Sequence, residues 1–102
     1  MTIKELENYS KLAAEYWQIE RRIRIGESLV DDKRRLREVG SRLSDITAFI
    51  LGCSDPLIKA CMIHKFIELK IWEEVAMCVG GYNSAGSCRM LVIRYLNREN
   101  KK

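Results

Sequence analysis

The sequence predicts an all-α protein, in which an N-terminal antiparallel helical hairpin is followed by a three-helix unit. The chain has one proline and six glycines among its 102 residues, so few positions interrupt helices. Apolar residues recur at heptad spacing through the first half. In the second half, Pro56 and the pair Gly80-Gly81 divide the sequence into three shorter amphipathic segments.

The first long helix is predicted to begin at Thr2 and to run to about Ile25. Residues 2–5 read Thr-Ile-Lys-Glu, which fits the S/T-x-x-E capping box, and Gly26 ends the helical pattern. The apolar stripe of this helix repeats every seven residues in two registers, formed by Tyr9, Tyr16 and Ile23 and by Leu12 and Ile19.

A second long helix is predicted to begin near Ser28 or Asp31. Two long amphipathic helices joined by a short break predict an antiparallel hairpin. Acidic and basic residues interleave on the face between the stripes. We therefore interpret the run from Asp31 to Arg35 as solvated helix surface and not as a nucleic-acid patch. The apolar stripe of the second helix also has heptad spacing, with Leu36, Leu43 and Ile50 in one register and Val39 and Ile46 in the other.

Residues 53–102 are predicted to form a second domain, after a first domain of residues 1–52. Its first helix begins at Pro56, whose missing N–H is not needed there, and Asp55 caps it. This helix is predicted to run to about Leu69, with an apolar face of Leu57, Ile58, Cys61, Met62, Phe66 and Ile67.

The stretch from Ile71 to Asn97 predicts two helices separated by a glycine turn. Gly80 and Gly81 permit positive φ and stop the first of them. Asn83 and Ser84 are good N-cap residues for the second. Helix, tight turn and basic helix together are the outline of a helix-turn-helix. The alternative is an ordinary helical hairpin with solvated arginines. The buried stripes are Val75, Ala76 and Val79, then Cys88, Leu91, Val92 and Tyr95.

Charge is concentrated at the C-terminal end. Residues 1–50 hold ten Lys/Arg against nine Asp/Glu, whereas residues 83–102 hold five against one. A basic element on a nearly balanced body favours a polyanionic partner. No apolar run reaches 18 residues and the polar start is unlike a signal peptide, so we expect a cytoplasmic protein without a membrane partner.

Metal-site and catalytic patterns are missing from the sequence. Four cysteines occur without a CxxC pair, and His64 is the lone histidine. We expect free, mainly buried thiols, with no metal and no cofactor. His64 is interpreted as a partly exposed helix residue without an acidic partner in helical register. No set of residues has credible catalytic spacing, so the chain is not expected to be an enzyme.

Residues 54–98 resemble region four of bacterial sigma factors, and more closely the small phage and prophage transcriptional regulators of the ArpU and RinA type. The resemblance rests on Asp55-Pro56, on the run from Trp72 to Ala76, on Gly80, and on Cys88-Arg89 with Arg94-Tyr95-Leu96. It implies transcriptional regulation through a helix-turn-helix. Leu69 and Ile71 depart from the pattern, which has glycine and then Ser/Thr at those places. Such proteins often carry an N-terminal helical hairpin, which residues 1–50 resemble in general character.

With this resemblance, we expect sequence-specific binding of double-stranded DNA, with the basic helix entering the major groove N-terminus first. Trp72 has two interpretations, as a core anchor or as a phosphate donor. Ser84 has an alternative role as a cap alone, and Arg94 as the partner of Glu99. The predicted base-edge residues are Asn83, Ser84, Ser87 and Arg89. The predicted phosphate contacts are Lys70, Arg94, Arg98, Lys101 and Lys102.

A competing hypothesis is a protein-interaction module. Its partner would be host RNA polymerase or another host factor, bound by the long hairpin. A heptad stripe that continues past what one hairpin can bury favours such a partner, or a homodimer.

Overall fold

The computed structural model describes residues 1–101, so Lys102 lies outside the described residues. These residues form helices and no strand, which confirms the predicted all-α class. A π-helical segment, Ile63–Ile67, continues the fourth helix. The six α-helices are α1 (Ile3–Glu7), α2 (Tyr9–Arg24), α3 (Asp32–Leu51), α4 (Pro56–Met62), α5 (Trp72–Val79) and α6 (Ala85–Asn100).

The start of the chain is helical, as predicted, but a bend interrupts the helix. The Thr2 hydroxyl oxygen accepts a hydrogen bond from the Glu5 N–H at 3.2 Å, as the capping pattern requires. The helix is then broken at Asn8, so the prediction of one helix from Thr2 to Ile25 is wrong. Leu6 before the bend and Leu12 after it are both buried in the core.

The hairpin of α2 and α3 is antiparallel. Arg22 bonds Asp32 close to the turn, and Glu15, two helical turns earlier, bonds Arg35 further along α3. Gly26, with φ +81, lies in the turn, in the left-handed region that glycine adopts without strain. The two helices contact each other closely along their length. A Cβ on Gly40 would lie 3.3 Å from the Tyr16 ring.

The two heptad registers of each helix are buried to different extents. The central register is fully buried, and it comprises Leu12 and Ile19 on α2 with Val39 and Ile46 on α3. Most of the other register is half-buried, namely Tyr9, Tyr16, Ile23, Leu36 and Leu43, while Ile50 is fully buried. A hairpin of two helices can cover only one side of such a stripe, so this difference is expected.

The interpretation of the run from Asp31 to Arg35 as solvated surface is wrong at Asp32. Asp32 is only 5% exposed. Its two carboxylate oxygens accept from Arg22 at 2.8 and 3.0 Å, and one also accepts from the Leu29 N–H at 2.9 Å. These bonds to Arg22 and then to Leu29 lower the pKa of Asp32 to about 2. Asp32 therefore ties the loop between the helices to the end of α2.

Asp55 and Pro56 begin α4 as predicted. The Asp55 carboxylate accepts from the N–H groups of Leu57 and Ile58, at 2.9 and 3.1 Å. The predicted helix to about Leu69 is only partly right, because α4 ends at Met62 and a π-helical turn follows. Within that turn the Glu68 N–H donates to the Ile63 carbonyl, five residues back.

One hydrophobic core runs through both halves of the chain. The hairpin contributes Leu12, Val39 and Ile46, and α4 to α6 contribute Met62, Val75 and Val92, all of them buried. The N-terminus closes against the last helix, because the Met1 ammonium donates to Asn100 Oδ1 at 3.0 Å. In the described part of the chain, no helix has both the length and the apolar character needed to cross a membrane.

Candidate nucleic-acid interface

Trp72, the first residue of α5, packs against the core. Its ring meets the buried Phe66 ring edge-on, with centroids 6.2 Å apart. The Lys65 ammonium lies 5.4 Å from the Trp72 ring centroid, within cation–π distance. The structure therefore gives Trp72 the core-anchor role that was one of its two interpretations.

The two departures from the sigma-like pattern both lie just before α5. Leu69 has φ +60, the left-handed conformation that the glycine of the pattern would adopt without strain. Ile71 occupies the N-cap of α5, and its side chain accepts no hydrogen bond from the first amides of the helix. Neither residue is therefore of a type that favours its backbone position.

The turn between α5 and α6 relies on two glycines. Gly80 and Gly81 have φ of +68 and +67, so both need the left-handed region. The Asn83 side-chain amide donates to the Gly80 carbonyl at 3.2 Å and closes the turn. Asn83, a predicted base contact, therefore already has a partner within the protein.

Ser84 and Ser87 cap α6 together. The Ser84 hydroxyl oxygen accepts from the Ser87 N–H at 3.1 Å, and the Ser87 hydroxyl oxygen accepts from the Ser84 N–H at 2.9 Å. This reciprocal pair is a capping box. The structure thus gives both predicted base contacts a capping role, and their bonds define where α6 begins.

α6 buries one face against α4 and α5. Cys88, Val92 and Leu96 are fully buried, and Leu91 and Tyr95 are half-buried. Apart from the added Leu96, this is the predicted stripe. A well-anchored inner face fixes which side chains of α6 point outward.

Basic side chains occupy the outer face of α6. Arg89, Arg94, Arg98 and Lys101 are exposed. Within the described residues, no carboxylate forms an ion pair with any of the three arginines. Successive helical residues are rotated by about 100°. Arg94 and Arg98 therefore share one flank of this outer face, and Arg89 lies on the other.

Lys70, a predicted phosphate contact, has partners of its own within the protein. Its ammonium is 3.4 Å from Cys78 Sγ and 3.5 Å from Glu68 Oε1. The hydrogen bond with Cys78, and then the charge of Glu68, raise the pKa of Lys70. A phosphate at Lys70 would compete with these contacts. Lys102, also a predicted phosphate contact, lies outside the described residues.

His64 does have an acidic partner, so the interpretation that it lacked one in helical register is wrong. Its Nδ1 bonds Glu68 Oε1, four residues later. The bond to His64, followed by the charge of Lys70, lowers the pKa of Glu68. The spacing i, i+4 was visible in the sequence, and it alone could have revealed this pair.

The cysteines are free, and Cys53, Cys61 and Cys88 are buried while Cys78 is exposed. Cys61 and Cys88 are neighbours between α4 and α6. Burial, with Cys88 beside it, raises the pKa of Cys61 to about 12, so this thiol stays protonated at neutral pH. In residues 1–101, no group of three His, Cys, Asp or Glu side chains comes together as a metal site.

The residues that resemble sigma region four are distributed over α4, α5 and α6. Asp55 caps α4, Trp72 begins α5, and Arg89 and Arg94 lie on the exposed side of α6. No protein-family model matches the chain, and no curated protein or solved structure matches it.

Proposed function

We propose that the chain is a sequence-specific double-stranded DNA-binding protein that acts as a phage or prophage transcriptional regulator. One observation supports this above all others. The inner face of α6 is anchored in the core, while Arg89, Arg94 and Arg98 extend from its outer face and pair with no described carboxylate. Exposed arginines that have no ion pair within the protein are free to hydrogen-bond to phosphates and to guanine edges.

In this proposal the three arginines have different roles. Arg89 lies in the second turn of α6, near the end that enters the groove first, and can bridge O6 and N7 of a guanine. Arg94 and Arg98 lie on the opposite flank and further along the helix, and they contact phosphates. Asn83, Ser84 and Ser87 act mainly by holding the turn and the start of α6 in shape.

Titrations of arginine variants test the proposal. The probe is the tightest-binding duplex that the full chain selects from a randomised pool, compared with a scrambled duplex at several salt concentrations. Arg89→Ala should cost about 1–3 kcal/mol on the selected duplex and relax preference at one base pair. Arg94→Ala and Arg98→Ala should weaken both duplexes alike, each reducing the salt slope by about one.

Arg37→Ala is the matched control. Arg37 is exposed on α3 and forms no ion pair with a described carboxylate, yet it lies on the hairpin. Its loss should leave DNA affinity unchanged. If none of the α6 variants weakens binding, or if Arg37→Ala weakens it equally, the interface is not α6.

The hairpin supports a second candidate function, binding to a protein such as host RNA polymerase. The loop between α2 and α3 exposes Leu29 and Val30, at 63% and 101%, and α2 exposes Trp17 at 64%. Isolated exposed apolar residues are common, but several on one hairpin favour a protein contact. A pull-down with purified RNA polymerase, repeated with Leu29→Asp, tests this candidate. Retention of the wild-type chain by RNA polymerase, together with loss of binding in Leu29→Asp, would support it.

A further inference from the structure

The middle of the outer face of α6 is uncharged. Gly86, Met90 and Asn97 are all exposed and, at about 100° per residue, lie within about 40° of one another. We call these three residues the outer strip. Arg89 flanks it on one side, and Arg94 and Arg98 flank it on the other. A helix in the major groove turns the middle of its outer face toward the base edges, and a long arginine side chain on its flank can reach either a base edge or a phosphate.

Neither the backbone conformation nor a contact within residues 1–101 requires glycine at position 86. The φ of Gly86 is not in the left-handed region, and an added Cβ would meet only Ser84 Oγ, at an ordinary 3.9 Å. Gly40 differs, because a Cβ there would lie 3.3 Å from the Tyr16 ring. Glycine within a helix is less favourable than alanine. The bare backbone at Gly86 therefore leaves room for a partner outside the chain.

Met90, one turn after Gly86, is the apolar member of the outer strip and is 41% exposed. Met77 is more exposed, but it lies on the outer side of α5, near the exposed Glu73 and Glu74, which a phosphate backbone would repel. Arginines on both flanks of Met90 make its surroundings complementary to DNA. Within the major groove, the apolar group that a base pair presents is the 5-methyl of thymine.

We propose that Met90 reads a thymine by contact with its 5-methyl group, and that Gly86 lets the backbone of α6 approach the base edges closely enough for this contact. This inference rests on the proposed function, because it places the same helix in the major groove. It adds a position of sequence preference beyond the guanine assigned to Arg89.

Replacing thymine by deoxyuridine tests this contact, because the change removes the methyl group and leaves base pairing intact. Each thymine of the selected duplex is replaced singly, and the affinity of the full chain is measured. Wild type should lose roughly fourfold at one thymine, the loss expected for one buried methyl group. Met90→Ala and Met90→Gln should bind the thymine and uracil duplexes equally. Met77→Ala should keep the wild-type response.

Gly86→Ala provides an independent measurement. Its thermal stability should equal or exceed that of wild type, because alanine favours the helix and the new Cβ makes only an ordinary contact, with Ser84 Oγ. Its affinity for the selected duplex should fall at least tenfold. Unchanged affinity for Gly86→Ala, or a uracil response that Met90→Ala retains, overturns the inference while the proposed function stands. Failure of the wild-type chain to bind any duplex overturns both.

Discussion

The hairpin holds four of its seven arginines in ion pairs, whereas α6 holds none of its three in an ion pair with a described carboxylate. In the hairpin, Arg22 bonds Asp32, Arg24 bonds Glu20 and Arg35 bonds Glu15, all within the chain. On α6, Arg89, Arg94 and Arg98 are exposed and form no ion pair with a described carboxylate. Ion pairing of arginine is therefore common in the hairpin, with Arg21, Arg37 and Arg42 as exceptions, and is not seen for the arginines of α6 among the described residues.

The difference comes from what surrounds each helix. In the hairpin, α2 and α3 run side by side, so charges of opposite sign on one helix meet those on the other. α6 instead packs against α4 and α5 through its apolar face, and Glu99 is the one acidic residue among residues 83–102. Local charge balance thus distinguishes the two regions more clearly than the number of basic residues does.

The largest expected effect tests whether these two regions fold as one unit. Phe66 is 2% exposed, packs against Trp72, and lies in the π-helical segment that contacts α2. Phe66→Ala should destabilise the chain by about 3–5 kcal/mol, because it leaves a cavity in the shared core. Urea unfolding is followed separately in each region, with Trp17 in the hairpin or Trp72 in the C-terminal unit as the single tryptophan.

Coincident transitions, both shifted by Phe66→Ala, are expected. Tyr82→Ala is the control, since Tyr82 is a fully exposed aromatic and its loss should change stability by less than about 0.5 kcal/mol. A shift of the Trp72 transition alone would separate the two regions into independent folding units.

A second, smaller effect concerns acid stability, which we expect to be set largely in the hairpin. The folded-state pKa of Asp32 is about 2, below its ordinary value of 3.8. Its bonds therefore contribute stability fully above about pH 4, and this contribution is lost as the pH falls toward 2. Asp32→Asn should lower the urea midpoint at pH 7. It should also reduce the decrease of that midpoint between pH 4 and pH 2. Asp31→Asn, at an exposed position with a 3.6 Å contact to Arg34, should retain the wild-type profile.

A matched pair of arginine variants tests the comparison itself. Arg35→Gln removes bonds to Glu15 and Glu38, and should lower the melting temperature without changing DNA affinity. Arg94→Gln should leave the stability within about 0.5 kcal/mol of wild type but weaken binding to any duplex. Thermal melts and duplex titrations measure both. The same outcome for the two variants would remove the distinction between the regions.

The smallest expected effect lies at the junction before α5. Leu69 is 61% exposed and has φ +60. Leu69→Gly should relieve about 1–2 kcal/mol of backbone strain in the folded chain. Because glycine also gives the unfolded chain more freedom, part of this gain is lost, and the net gain in stability should be about 0.5–1 kcal/mol. Leu51→Gly is the control, because Leu51 is similarly exposed but has a helical backbone, so glycine there should bring no gain in stability. The midpoints of denaturant unfolding are compared for the two variants. A loss of stability in Leu69→Gly would show that Leu69 is not strained in the folded chain.

Local patterns were enough to predict most of the helices. Heptad spacing predicted the buried positions Leu12, Ile19, Val39 and Ile46, and Pro56 with Asp55 predicted the start of α4. Gly80 and Gly81 predicted the turn, which requires positive φ. Each of these features depends on residues within one or two helical turns, so the sequence by itself determined them.

Tertiary structure decided how the polar side chains are used. Asp32 is buried because Arg22, ten residues away, reaches it only when the hairpin has closed. Lys70 meets Cys78 because α5 folds back past the π-helical segment, and that segment itself has no short-range signal in the sequence. These two pairs join residues ten and eight positions apart, which only the fold brings together. Periodicity alone therefore cannot tell an arginine held in an ion pair within the protein from one that remains exposed.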